Sequence, residues 1–458
     1  MKLKYLFSVL LIMATAPYLM AQTHTWTGNG GDTNWFIPNN WNAGTVPDNT
    51  SDVFIPDGFV VEITNASANA NTIELEGSAE LIVDNNINIQ TALNISLLSR
   101  FTVLSGVLSG GATIENDGTI FITGIMGKTL LGSTVNNNNK IIIENSGFWR
   151  LNSSPIINNA ENATFEIIGR AGLVQDDGHP IFNNHGLVKK SFDGIDSSFS
   201  YMIIEMNNNG VIDMDLGESF LFLSPMAILN NSENGILKGY GDYDITGPFS
   251  NLGIIYPGDI NVPGTIIMAN NFSLHPEATI EFDIAGPDAG SYDVLRVVGF
   301  PDIEGNIEIN LSYAPEIGDE YTIITALELT SCELPTFVSG TFNSNVYNFA
   351  VFCNTNNVTL RMVEVLGVND LTATTQSFFA QPNPIASTAH FVFGDLFGNE
   401  HPNATIKIYN YLGQHVRTMA GVSEENNFFE RKELASGLYF AQLTEGNNVL
   451  ATTKLLLK

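Results

Sequence analysis

The chain has 458 residues, enough for two or three domains. Charged residues make up only 14%, yet 48 acids stand against 18 bases, for a net charge of −30. That balance argues against a nucleic-acid or anionic-membrane ligand, both of which need a basic face; it suits a solvated surface outside the cell and is compatible with weak Ca2+ binding.

Residues 1–21 carry Lys2 and Lys4, an apolar run from Leu6 to Met13, and Leu19-Met20-Ala21 before Gln22. This is the pattern of a secretory signal peptide and predicts export. No later apolar run approaches the roughly 18 residues needed to span a bilayer, so no transmembrane insertion is expected.

Residues 22–58 hold three of the four tryptophans, Trp26, Trp35 and Trp41, followed by Val46-Pro47 and Asp52-Val53-Phe54-Ile55-Pro56. The segment resembles the opening of secreted bacterial β-helix proteins, in which a Trp-rich loop precedes the first coils. The rings could stack on sugars, but an open solenoid end exposes strand edges and core that must be covered, and a cap is the expectation.

From 59 to 256 short apolar strands recur. Between about Ile114 and Ile255 an Asn/Gly segment returns at roughly 22 to 25 residues, a solenoid period. Two places after Gly118, Asn139, Ala163, Gly186, Gly210, Gly235 and Gly253 stand Ile120, Ile141, Phe165, Val188, Ile212, Leu237 and Ile255. Four places on, Ile122, Ile143, Ile167 and Met214 are apolar too, the period of two of a half-buried strand. One coil per repeat buries such a face, so the fold class is all-β: a right-handed parallel β-helix of on the order of ten coils. The asparagines are expected in the turns, with ladder bonding along the axis as a second use. The alternative is an antiparallel sandwich with Asn-Gly hairpins.

The interval from Arg170 to Tyr201 departs from the repeat, and Lys190 occupies a position that the pattern wants apolar. Arg170, Asp176, Asp177, His179, His185, Lys189 and Lys190 lie close in sequence. A polysaccharide lyase needs a cation to neutralise a uronate carboxylate and a base to take the adjacent proton, and the weak catalytic candidates are therefore Arg170, Asp177, His179, Lys189 and Lys190. No fixed spacing selects any of them, and polar side chains facing water explain them as well. Asp213-Met214-Asp215 and Asp242-Tyr243-Asp244 could each present carboxylates to Ca2+, but neither has the oxygens of a dedicated loop; no metal site is assigned.

Residues 257–364 run through Ala278–Ile284, Tyr292–Val297 and Gly305–Ile309 to Gly318-Asp319-Glu320-Tyr321-Thr322-Ile323-Ile324. This stretch resembles the final coils and cap of autotransporter-type passenger β-helices, which implies that fold and a stop to stacking rather than an enzyme. Cys332 and Cys353 follow; an isolated pair in an exported chain most simply forms a disulfide.

Residues 365–377 read as a linker, and 378–458 as a small antiparallel Ig-like β-sandwich. Its blocks are Pro382-Asn383-Pro384, Ile406–Gly413, Ser436-Gly437-Leu438-Tyr439 and Lys454-Leu455-Leu456-Leu457. They resemble the type A C-terminal sorting domain of the type IX secretion system of Bacteroidota, with Pro382, Asn383, Pro384, Gly413, Gly437 and Lys454 on the motif. The resemblance implies the type IX secretion machinery as a partner, an outer-membrane-surface or extracellular destination, and cargo that is released or attached to surface lipopolysaccharide.

The chain has no Gly-rich phosphate loop, Gly-x-Ser-x-Gly elbow or His-Glu-x-x-His pair. The expectation is a structural, adhesin-like surface β-helix that binds extracellular glycan or protein. The alternative is a carbohydrate-active β-helix enzyme, a lyase or glycosidase.

Overall fold

The computed structural model describes residues 24–144, 147–194, 199–270, 272–367, 378–393, 404–423, 426–446 and 448–458. The leader read at 1–21 lies outside them. Two compact units are formed, Met1–Leu366 and Gly367–Lys458.

In the first unit each coil supplies three short strands, such as Thr134–Asn137, Lys140–Glu144 and Gly147–Asn152. Each pairs in parallel with its counterparts in the coils before and after; Thr134–Asn137 lies between Thr113–Asn116 and Ile156–Asn159. Three parallel sheets thereby wind a β-solenoid of about eleven turns. Parallel pairing excludes the hairpin sandwich. Alternation sends every second side chain inward, so Ile114, Val135, Ile157, Phe182, Met206 and Leu229 stack as one buried column in the first sheet. Ile120, Ile141, Phe165, Val188, Ile212, Leu237 and Ile255 do the same in the second.

The asparagine pairs, expected in turns, instead end the strands of the first sheet. Alternation then divides each pair: Asn136, Asn158, Asn183, Asn207 and Asn230 face out, and Asn137, Asn159, Asn184, Asn208 and Asn231 face in. The inner set, extended by Asn116 and Asn251, forms a buried ladder. Nδ2 of each donates to Oδ1 of the next at 2.6–2.8 Å, from Asn116 through Asn251. The second Nδ2 hydrogen of Asn116, Asn137, Asn159 and Asn184 also reaches a carbonyl of the following coil, Lys140, Thr164, Leu187 and Val211 respectively. Each buried amide is thus satisfied from both sides, as burial requires. The ladder's ends are the exceptions: Asn116 Oδ1 and Asn251 Nδ2 have no partner. A parallel outer ladder joins Asn158 to Asn136, Asn183 to Asn158, Asn207 to Asn183 and Asn230 to Asn207 at 2.9–3.1 Å. The turn glycines that follow serve close approach: a Cβ on Gly210 would lie 2.2 Å from the Gly186 carbonyl oxygen.

At the N-terminal end Trp26, Trp35 and Trp41 are buried, with Trp41 edge-on to both others at 4.9 Å, and Trp41 Nε1 donates to the Trp35 carbonyl at 2.7 Å. Their faces pack on one another and on core, so they present no stacking surface for a sugar. At the other end parallel stacking gives way to antiparallel pairing. Phe337–Phe342 pairs with Asn345–Cys353, and Glu320–Thr325 with Asn357–Gly367. The strand Asn357–Gly367 runs into the stretch read as linker, of which residues 368–377 lie outside the described residues.

The second unit has a three-stranded antiparallel sheet (Phe379–Gln381, Thr388–Val392, Phe428–Glu430) and a four-stranded one (His415–Ala420, Thr405–Asn410, Gly437–Glu445, Asn448–Leu457). Phe391, Ile406, Ile408, Ala441, Leu443 and Leu455 fill its core.

Candidate functional site

The residues singled out between Arg170 and Tyr201 do not converge. In the second sheet Glu166, Lys189, Asp213 and Lys238 are register partners in successive coils, so acids and bases alternate along the outer face. Lys140 pairs with Glu166 at 2.9 Å, Lys189 with Asp215 at 3.5 Å, and Lys238 with Asp213 at 3.6 Å and Asp259 at 3.0 Å. Burial pushes the Glu166 carboxyl up, but the bonds from Lys140 and Ser191 outweigh it and hold it below its usual range. Among the described residues no group of three or more His, Cys, Asp and Glu is placed to hold a metal ion.

Lys190 is not a surface group. One residue beyond the outward Lys189, alternation turns it into the interior, where it is 0% exposed. Its Nζ donates to the Gly169 carbonyl at 2.7 Å and forms an ion pair with Glu218, itself 0% exposed. Burial lowers the Lys190 pKa, while Glu218 opposes the shift. Desolvating two charges costs several kcal/mol each, and such a pair persists only where geometry and further bonds compensate. Neither ion meets solvent, so Lys190 cannot serve a polysaccharide. Glu218 went unnoticed in the sequence because the coil lengths that bring it beneath Lys190 are irregular there.

Arg170 lies at the corner between the second and third sheets, whereas Asp176, Asp177 and His179 share the turn between the third and the first. Arg170 stacks its guanidinium over Phe199 at 4.2 Å, beside a cluster in which Tyr201 contacts Phe148 and Phe199. Asp176 pairs with Arg150 at 2.6 Å, and Asp177 accepts the Ser153 backbone N–H at 2.6 Å. His179 Nε2 lies 2.7 Å from Glu205 Oε2. His185 is exposed at the turn between the first and second sheets. These contacts tie successive coils together.

A denser acidic cluster, not singled out in the sequence, lies in the terminal coils. Asp293 is fully buried; its Oδ2 accepts the Asp283 N–H at 2.8 Å and its Oδ1 the Gly264 N–H at 2.6 Å. Asp283, also buried, accepts from the Tyr256 hydroxyl and the Asn261 N–H. Burial pushes the Asp293 carboxyl up to about 8, against the pull of its two N–H donors and with Asp283 and Glu281 adding to the rise. Every polar atom named here is directed at the protein's own backbone or at Tyr256, so the cluster fastens the loop at 258–264.

Cys332 and Cys353 form a disulfide with a Cα–Cα distance of 6.2 Å, tying Ser331–Glu333 to the strand Asn345–Cys353. In the second unit Asn383, between Pro382 and Pro384, donates to the Lys454 carbonyl at 2.7 Å and accepts from the Leu456 N–H at 2.9 Å, fixing the motif against the final strand. Gly413 and Gly437 adopt positive φ, which only glycine takes without cost. The Lys454 side chain is exposed.

Residues 380–458 match the family described as secretion system C-terminal sorting domain. No curated protein and no solved structure matches the chain. Residues 380–458 are therefore a type IX secretion C-terminal sorting domain, and the chain is a β-solenoid protein exported by that system to the cell surface or the extracellular space.

Proposed function

We propose that the solenoid is an adhesin-like rod that binds glycan or protein outside the cell and does not turn its ligand over. The observation that carries this reading is how the catalytic candidates are engaged: Lys189 is paired on an outer face, Lys190 is neutralised in the core, Arg170 stacks on Phe199 at one corner, and Asp177 and His179, which share the turn at another, are bound to Ser153 and Glu205 of neighbouring coils. Acid–base catalysis requires donor and acceptor within hydrogen-bond reach of one bond of the substrate. A rigid rod with charge-paired sides suits display and adhesion. The signal peptide, the surface location as against release, and lipopolysaccharide attachment belong to this same reading.

The test incubates the purified chain with a panel of polysaccharides and measures both retention and release of reducing or unsaturated ends. Retention without release is the expected result. Release that disappears in Arg170→Gln or Lys189→Gln would replace the adhesin with the lyase or glycosidase.

A further inference from the structure

The first sheet contains a break. Phe249–Asn251 pairs backward with Leu229–Asn231 and, among the described residues, with no strand after it. Pairing on that side resumes with the Ser273–Asp302 bridge and then Asp302–Glu304 with Ser331–Glu333. Beside the break, at the corner between the third and first sheets, lies an open cleft of about 880 Å³. Its walls come from five successive coils: Pro225, then Thr246 to Phe249, then Phe272 and Ser273, then Val298 to Phe300, then Leu327. At one strand spacing per coil the cleft extends roughly 19 Å along the axis.

We infer that this cleft binds a neutral glycan chain laid along the solenoid axis. The inference rests on the adhesin-like reading above and gives it a site and a ligand class. Among the described residues no charged side chain lines the cleft, in a chain of net charge −30; a polyanion would meet repulsion with no cation among them to receive it. Val298, Phe300 and Leu327 are 43%, 66% and 65% exposed, beside half-buried Phe249, which stacks with the buried Phe272 at 6.0 Å. Contiguous exposed apolar side chains of this kind mark interaction surfaces. The same walls carry the exposed hydroxyl side chains of Thr246 and Ser273. A ligand with apolar C–H faces and uncharged hydroxyls meets both kinds of surface, as a neutral sugar polymer does. An added peptide strand would run parallel to the coil strands, whereas this cleft runs across them.

The experiment is affinity electrophoresis of the full secreted chain through gels containing laminarin, galactomannan or xyloglucan, with alginate and pectate as polyanions. The Phe300→Ala/Leu327→Ser double variant alters exposed side chains only, and its melting temperature verifies that the fold is kept. Phe148→Ala, on an exposed ring elsewhere, is the control. We expect retardation by at least one neutral glycan, weakened tenfold or more in the double variant and unchanged in the control. Retardation by the polyanions alone, or by no glycan, overturns the inference. So does self-association of the wild type that the double variant loses, which would make the cleft an interface between copies. Neutral-glycan binding that the double variant retains removes the cleft but leaves the adhesin-like reading standing; release of new reducing ends removes that reading whatever the cleft does.

Discussion

Two stretches of the solenoid fill the same interior corner in opposite ways. In the early coils the last inward position of the first sheet is Ile55, Leu75 and Ile95; from the next coil onward it is Asn116, Asn137, Asn159, Asn184, Asn208, Asn231 and Asn251. The aliphatic column is held by burial and close packing, which are non-directional and tolerate small changes of shape. The asparagine column is held by bonds from each amide to the next, each contributing about 1 kcal/mol net, and every member depends on its neighbours. The first arrangement is forgiving of register; the second specifies it. Lys190–Glu218 and Asp283–Asp293 extend the second principle deeper into the rod, where polar groups are satisfied along the axis.

The sharpest way to break that contrast is Lys190→Met. It takes the ion-pair partner from the buried Glu218 carboxylate and should cost about 4 kcal/mol, read from the midpoint of chemical denaturation. Adding Glu218→Leu should recover most of the loss. A cost below about 1 kcal/mol for the single variant would show that the pair is not buried as described.

Next comes the ladder itself. Asn184→Leu leaves Asn159 Nδ2 and Asn208 Oδ1 without their amide partners and should cost about 3 kcal/mol in the same measurement. The mirror substitution, Ile95→Asn, offers a donor to the orphaned Asn116 Oδ1 while giving up aliphatic burial. The burial lost exceeds the one bond gained, and the new Oδ1 faces Leu75 in place of an amide, so the net cost should be about 2 kcal/mol, below that of Asn184→Leu. Equal losses from the two substitutions would erase the distinction between the columns.

A separate expected effect is on pH dependence. Asp293 titrates near 8 in the folded chain and near 3.8 when unfolded. Between those values the folded state holds a proton that the unfolded state has released, so stability falls as pH rises from about 4 to about 8 and is level above that. Asp293→Asn should flatten this slope, removing at least the equivalent of one pKa unit, about 1.4 kcal/mol. Melting temperatures across that range provide the check, and a variant whose slope matches the wild type would remove Asp293 as the source.

The sequence by itself determined the solenoid and its address. A period of two within strands and of 20-odd residues between them states which side chains face inward, because alternation is a property of the local backbone. The sorting-domain blocks are likewise contiguous in sequence and readable without tertiary information. The asparagine doublets were legible as repeats but not as strand ends, since an Asn before a turn and an Asn within one share the same neighbours.

Only the tertiary structure decided which polar residues meet. The fate of Lys190 depended on Glu218, 28 residues away, and that of Asp293 on Asp283 and Gly264. The cleft arises where the first sheet fails to pair after Phe249–Asn251. Such encounters depend on the exact length of each intervening coil, and one added residue reverses which side chain points inward. Local patterning carries no record of that count once the repeat becomes irregular.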